Sequence, residues 1–559
     1  MKIMIKFNKR IVKIIGVLFL NVLVFAGLSS CEDFLDKAPL DKISDASVWQ
    51  DVALMNAYVV QTYSEVRSPY SDNMYYSVTS DESFARERTG AFTVQQGNMS
   101  PSDLGYMSYA WANYYKNVTR GNIFLSNVEG KDLSGFSAAD QAKISILIGE
   151  MKFHRAYAYF RLGSLFGGVP LVTEPFSLDD DFKLPRDSYD DVMNFVVAEL
   201  TEAANLLPLS RSSSDRGRLT KGAALGIKAR ALLYMASPLN NPTNVQSKWQ
   251  AAADAAKEVI NLRLYSLYPD YGKLFREEAN FNSEVIWERV IQNSLIGLAG
   301  VERNFYPNGF GGYAVCVPSQ KQVEAYETLN GLSINDDPSY DFNKFWLNRD
   351  PRFYATILYD GAPFRGRAVE TFMPNGQDSF GSATMGWNSS YTGYYTRKSV
   401  QEFIVGTPGG SSGLTSSPNW PYLRYAEILL IYAEATYNLG IEDSARLYIN
   451  KVRSRTGVKM PAVTDAGTAL MTRIKRERQV ELYLEEHRFF DIRRWKEVIP
   501  AGEFIKKMNV DKNLVTGVKT YYLTNVISFA LPERTFHLPI PLAEITKDPN
   551  LEQNPGYTP

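Results

Sequence analysis

Positions along the first half of this chain repeat at helical spacing. Ile144, Leu147, Ile148, Met151 and Arg155 stand at i, i+3, i+4, i+7 and i+11 and run into Ala156-Tyr157-Ala158-Tyr159-Phe160. That is the stripe of one long amphipathic helix, and Gly167-Gly168-Val169-Pro170 ends it. Ser188 predicts the N-cap of the next helix, with Val192, Phe195, Val196, Leu200, Ala203 and Leu207 inward and Pro208 as its stop. A third helix is expected over Thr220–Ala236, and a fourth from about Ser247 with Trp249, Ala252, Ala256 and Ile260 inward. An earlier one starts near Ser47, with Trp49, Leu54, Tyr58 and Tyr63 in its apolar positions. Between 281 and 420 the segments shorten and glycine punctuates them, which predicts loops with a few short strands. Helical patterns return at 421–457 and about 467–497. There Ala433, Ala435, Gly440 and Ala445 let two antiparallel helices approach closely. Paired helices with recurring Ala and Gly suggest tetratricopeptide-like units, although the repeat is irregular.

The N-terminus adds an address. Lys2, Lys6, Lys9, Arg10 and Lys13 precede an apolar run from Ile14 to Leu28 that contains no acidic residue. A basic start, a short apolar run and small residues before a cut describe a secretory signal peptide. The run falls short of the ~20 apolar residues of a membrane span. It ends Leu28-Ser29-Ser30-Cys31, which resembles the lipobox of bacterial lipoproteins. That resemblance implies removal of residues 1–30 and lipidation of Cys31, followed by an acidic tether over 31–46.

Composition narrows the function classes. Lys and Arg number 60 against 61 Asp and Glu, so no charge excess points to nucleic acid or to an anionic lipid surface. If Cys31 carries lipid, Cys316 has no partner in the chain and reads as a small buried hydrophobe. Its three possible histidine bases, His154, His487 and His537, lie in no supporting motif. No HExxH, GxSxG, Walker or CxxC pattern is present, so no metal or cofactor site is expected. Tyr (34) outnumbers Phe (30), a bias that suits wet binding surfaces and helix packing alike.

Several patterns then follow in one order. Cys31-Glu32-Asp33-Phe34-Leu35-Asp36 leads to Phe166-Gly167-Gly168-Val169-Pro170-Leu171, then to Arg349-Asp350-Pro351-Arg352 and Gly393-Tyr394-Tyr395-Thr396-Arg397-Lys398. Arg424-Tyr425-Ala426-Glu427-Ile428-Leu429-Leu430 and His487-Arg488-Phe489-Phe490-Asp491-Ile492-Arg493-Arg494-Trp495 come next, and Asn550-Leu551-Glu552-Gln553-Asn554-Pro555-Gly556-Tyr557 closes the chain. Together they resemble the SusD/RagB family of Bacteroidetes outer-membrane lipoproteins, with one departure at Glu486, where the family often has Gly. The resemblance implies a mainly α fold, a tetratricopeptide-like helical scaffold holding an irregular loop-rich region with short strands. It divides the mature chain into a helical region over 47–280, a ligand-binding region over 281–420 and a C-terminal helical region and tail over 421–559. It further implies a non-enzymatic surface lipoprotein that captures glycans, sometimes peptides, and partners a SusC-like TonB-dependent outer-membrane barrel.

Sugar rings dock their C–H faces on aromatic planes and offer hydroxyls to planar polar groups. Three segments hold both kinds of residue. The first contains Tyr75, Tyr76, Asp81, Phe84, Arg86 and Arg88; the second Asn304, Tyr306, Asn308, Phe310 and Tyr313; the third Trp387 and Tyr391, with Tyr394 and Tyr395 beside them. Two other readings remain open: capture of oligopeptides, and a surface glycoside hydrolase, which would need two carboxylates at a defined separation. Glu477, Glu481 and Glu485 share a helix face, but the nearby Arg478, Arg488 and Arg494 point to an ion-pair lattice instead.

Overall fold

Ser137, Ser188 and Thr220 each accept the N–H three residues on, capping three of the expected helices. The computed structural model describes residues 45–67, 69–70, 74–85, 90–177, 179–291, 301–383, 385–402 and 416–558. The signal peptide and Cys31, like Arg86 and Arg88, lie outside the described residues. The chain divides into a small N-terminal unit, 1–56, where Asp45–Val48 forms one helical turn, and a main unit, 57–559.

The principal helices are α1 (Val52–Glu65), α2 (Ala110–Val128), α3 (Ala138–Phe166), α4 (Tyr189–Leu206), α5 (Lys221–Ala236), α6 (Gln246–Asn261), α7 (Tyr425–Asn438), α8 (Glu442–Arg453), α9 (Gly467–Glu481) and α10 (Arg488–Arg494). From α2 to α6 each helix packs on the next, and α6 packs on α7 across the intervening chain. The loop-rich stretch 262–424 is therefore an insertion between two neighbours of one helical stack, a mainly α fold of the tetratricopeptide kind. Small residues make the close packing possible: Gly149 faces Leu206 and Leu207 of the α4 end, and Gly226 faces Leu423 and Ile428, with no room for a further carbon. Among the described residues no helix is long and apolar enough to cross a membrane.

The strands are β1 (Ser83–Ala85), β2 (Val285–Arg289), β3 (Cys316–Pro318), β4 (Trp420–Arg424), β5 (Ile499–Lys512) and β6 (Lys519–Leu531), besides two-residue ladders within 357–396. They pair antiparallel as β1 with β3, β2 with β4, and β5 with β6. Phe84 lies opposite Val317, so the first candidate segment pairs with the strand that directly follows the second. The two longest strands fall in the C-terminal region, beyond the helical patterns that end near residue 497, in the stretch for which the family resemblance implies a helical region and tail. Ile505, Met508 and Val510 of this hairpin face the core, while register shifts near Val526 and Ala530 break its alternation.

Candidate functional site

The helix α9 ends at Glu481, so Glu485 lies in the turn after it and not on the expected helix face, but all three carboxylates meet basic side chains. Glu481 accepts from Arg455 at 2.5 Å, Arg424 at 2.7 Å and Arg352 at 2.9 Å. Glu477 accepts from Arg352 at 2.5 Å and Arg453 at 2.9 Å, and Glu485 from Arg424 and Lys398, both at 2.7 Å. Glu284, just before β2, takes Arg424 and Arg455. Burial alone would raise the Glu481 carboxyl, but Arg455, Arg424 and Arg352 outweigh it and hold it down to about 2. Arg352 and Asp350 come from the insertion, whereas Glu477 and Glu481 come from α9. The lattice thus fixes the loop-rich region to the scaffold, and its carboxylates are already engaged.

The second candidate segment begins with a short helix, Val301–Phe305, and a single turn, Asn308–Phe310. Gly311 follows in the left-handed region. A Cβ at Gly312 would stand 2.0 Å from the Tyr306 carbonyl oxygen, so glycine is required for the chain to double back there. The fold-back lets the Tyr313 N–H donate to the Arg303 carbonyl at 2.8 Å. Arg303 then lies 4.5 Å over the Tyr313 ring and donates to its hydroxyl at 2.6 Å. Tyr313 stands 6.2 Å from Trp387, a residue 61% exposed.

The third segment continues this surface. A Cβ at Gly386 would stand 2.7 Å from the Phe380 carbonyl, which seats the Trp387 turn against Phe380. Phe380 meets Tyr391 edge-on at 5.5 Å, and both rings are exposed. Tyr391 stands 5.9 Å from Phe84, and Phe84 stacks on Phe92 at 5.6 Å. The Lys507 ammonium lies 5.0 Å from the Phe380 ring. All three segments therefore contribute rings to one region: Phe84, Tyr313, Trp387 and Tyr391. Two rings that the sequence reading did not name extend the group: Phe380 against Tyr391, and Phe92 behind Phe84. Phe380 sits among Ser379, Gly381 and Ser382, the same polar, glycine-containing setting that marked the other loops.

The other candidates lie inside. Tyr75 donates to the Gly90 carbonyl and accepts the Tyr106 N–H. Tyr76 packs on Phe489 and Phe490. Asp81 is held by Arg488 and Lys321, and Asn304 is 9% exposed. Tyr306 is fully buried, its hydroxyl donating to the Gln401 carbonyl and its ring edge-on to Phe364. Asn308 accepts from the Tyr395 hydroxyl at 2.6 Å, and half-buried Phe310 lies under the Arg367 guanidinium at 3.7 Å. Tyr394 and Tyr395 are fully buried. These side chains hold the loops, and the rings at solvent are Trp387, Tyr391 and Phe380. Among the described residues no three His, Cys, Asp or Glu side chains gather as a metal site.

Fold and rings together define a helical scaffold that presents an inserted, aromatic-faced loop region. Family models match both halves of the chain: one described as "SusD family" over 283–557, another as "Starch-binding associating with outer membrane" over 33–233. A SusD-like protein, P25, of Formosa agariphila is 24% identical over 96% of this chain and 99% of its own. A SusD-like protein of Bacteroides fragilis superposes with a TM-score of 0.77 at 27% identity, over 93% of this chain and 100% of its own. A SusD-like carbohydrate-binding protein of the same species superposes with a TM-score of 0.74 at 24% identity, over 90% and 100%. The chain belongs to the SusD-like family.

Proposed function

We propose that this protein is a cell-surface lipoprotein that binds an oligo- or polysaccharide and passes it, uncleaved, to a SusC-like TonB-dependent outer-membrane barrel. The observation that carries the reading is the solvent-facing ring group of Trp387, Tyr391 and Phe380, backed by Tyr313 and Phe84. Exposed aromatic planes in one region match the C–H faces of successive sugar rings, and Arg303 and Lys507 stand beside them as partners for hydroxyls. The starch-binding description of the N-terminal family model and the likeness to a carbohydrate-binding SusD-like protein support the same ligand class. The outer-membrane wording of that model supports the location, and the lipobox ending at Cys31 supplies the anchor. The engagement of Glu477, Glu481 and Glu485 by basic side chains supports a binding role over hydrolysis.

A panel of soluble polysaccharides and peptides titrated into the purified protein tests the ligand class. Binding of at least one glycan with no release of reducing ends is expected. Binding of peptides alone, or release of sugar, overturns the reading. A tagged copy purified from native membranes is expected to bring a large barrel protein with it, and its recovery alone would remove the transporter partner.

A further inference from the structure

A cavity of about 70 Å³ lies between α2, α3 and the 485–490 segment, and it shares no residue with the ring surface. His154, Tyr157, Ala158 and Arg161 face it at i, i+3, i+4 and i+7 of α3, a stripe about 10 Å long. Asn117 of α2 lines the same space. At ~10–15 Å³ for each water the volume exceeds a single solvent site.

Arg161 is the anomaly here. The residue is 9% exposed, and its guanidinium is held 4.7 Å from both the Tyr76 and Phe490 rings. Its Nε donates to the Tyr114 hydroxyl at 3.1 Å. The other buried arginines among the described residues bond either to a carboxylate, as Arg230 does to Glu427, or to backbone carbonyls, as Arg349 and Arg493 do. Arg161 forms no such bond among the described residues, although the Glu486 carboxylate on the same cavity wall lies near enough to favour its charge, and the outer edge of its guanidinium faces the cavity. Two other buried side chains carry atoms without a hydrogen-bond partner. Asn117 Oδ1 receives no donor, and neither ring nitrogen of His154 is bonded. Burial pushes the His154 pKa down to about 3, so its imidazole is neutral and presents an acceptor nitrogen. Native interiors leave few such groups without a partner. The acidic lining is spoken for in part: Glu65 pairs with Lys116, Glu485 with Arg424 and Lys398, and Glu486 accepts the Tyr76 N–H at 3.4 Å.

We propose that this cavity binds a small carboxylate that carries hydrogen-bond donors of its own, a sugar acid or an α-amino acid. The carboxylate takes the guanidinium edge of Arg161, a planar match for two parallel bonds. Hydroxyl or ammonium hydrogens of the ligand go to Asn117 Oδ1 and His154, and the Tyr76 and Tyr157 rings cover its apolar face. The proposal does not rest on glycan capture at the ring surface.

Calorimetric titration of the wild-type protein with sodium glucuronate, L-serine and glucose tests it. One of the two acids binds at a single site, which also tells the two sources apart, and glucose binds at least tenfold more weakly. Arg161→Gln weakens the acid at least tenfold, and Ala158→Leu, which fills the cavity while sparing Arg161, abolishes binding. Trp387→Ala leaves it unchanged. Failure of both acids to bind at millimolar concentration overturns the proposal, as does glucose binding equally well or acid binding that survives Ala158→Leu. Should both cavity variants fail to fold, a wild-type crystal grown with the acid decides: the acid on Arg161 supports the site, and water alone in the cavity overturns it.

Discussion

Arg488 and Asp81 face each other through two parallel hydrogen bonds, Nε to Oδ1 at 2.7 Å and Nη2 to Oδ2 at 2.8 Å, across 407 residues of chain. Lys321 reaches the same carboxylate at 2.6 Å. Burial would raise the Asp81 carboxyl, but Arg488 and Lys321 outweigh it and hold it well below the usual range. Asp81 therefore ties the first candidate segment to α10. Breaking a buried pair by removing one partner leaves the other charge uncompensated, at ~3–5 kcal/mol. Asp81→Ala is expected to lower stability by about that amount in denaturant titration, while the folded fraction keeps wild-type glycan affinity. A loss of affinity at unchanged stability would make Asp81 a ligand contact.

The ring surface predicts the opposite pattern. Trp387→Ala with Tyr391→Ala removes two exposed planes and few interior contacts. The pair is expected to weaken glycan binding by ~1–3 kcal/mol, on the scale of burying one such side chain, with little change in melting temperature. Tyr306→Ala removes a fully buried ring and its hydroxyl bond, and is expected to cost ~3–5 kcal/mol of stability. Calorimetry and thermal melts on the same preparations separate the two. Wild-type affinity in the double variant would remove these rings from the site.

The difference between Tyr306 and Trp387 shows where sequence reading stops. Both stand in aromatic, glycine-punctuated loops, and local pattern treats them alike. Their exposure is decided by distant partners: Phe364 and Gln401 enclose Tyr306, and no pattern near residue 306 announces them. Helices were legible because their apolar spacing is local, and Ser188 and Thr220 cap where their chemistry predicts. The β5–β6 hairpin was not, since Pro500 and Gly502 lie within β5 and register shifts disturb β6. At Glu486 the family resemblance leads one to expect glycine, and the reason is now visible. The backbone is left-handed there, with φ of 64°, and a glutamate adopts it in this chain.

Two carboxyls set opposite pH slopes. Burial raises Glu82 to about 8, and neighbouring Asp81 adds to it. Its folded pKa lies above the unfolded value of ~4.5, so the stability it contributes is complete below ~4.5 and lost as pH rises through 8. Glu82→Gln is expected to flatten that decline and to exceed wild type at pH 8 by an amount on the order of a few kcal/mol. Glu481 is depressed to about 2, so its contribution is present above ~4.5 and lost as pH falls through 2. Glu481→Gln is expected to be less stable than wild type at neutral pH and less sensitive to acid below 4.5. Parallel wild-type and Glu82→Gln stability curves from pH 5 to 8 would contradict the first assignment.

The proposed anchor makes a prediction that the ring surface does not. A diacylated, N-acylated Cys31 would carry more than the two signals that stable membrane attachment needs. Confinement to the membrane plane raises the effective concentration of any membrane partner, so modest contacts with a barrel suffice. Cys31→Ala is then expected to leave the membrane fraction, to keep wild-type glycan affinity in solution, and to lose co-purification with the barrel. The first and third effects follow from the tether alone, and the second separates anchoring from binding. Retention of Cys31→Ala in the membrane fraction at wild-type levels would show that residues other than the lipobox cysteine hold this protein at the membrane.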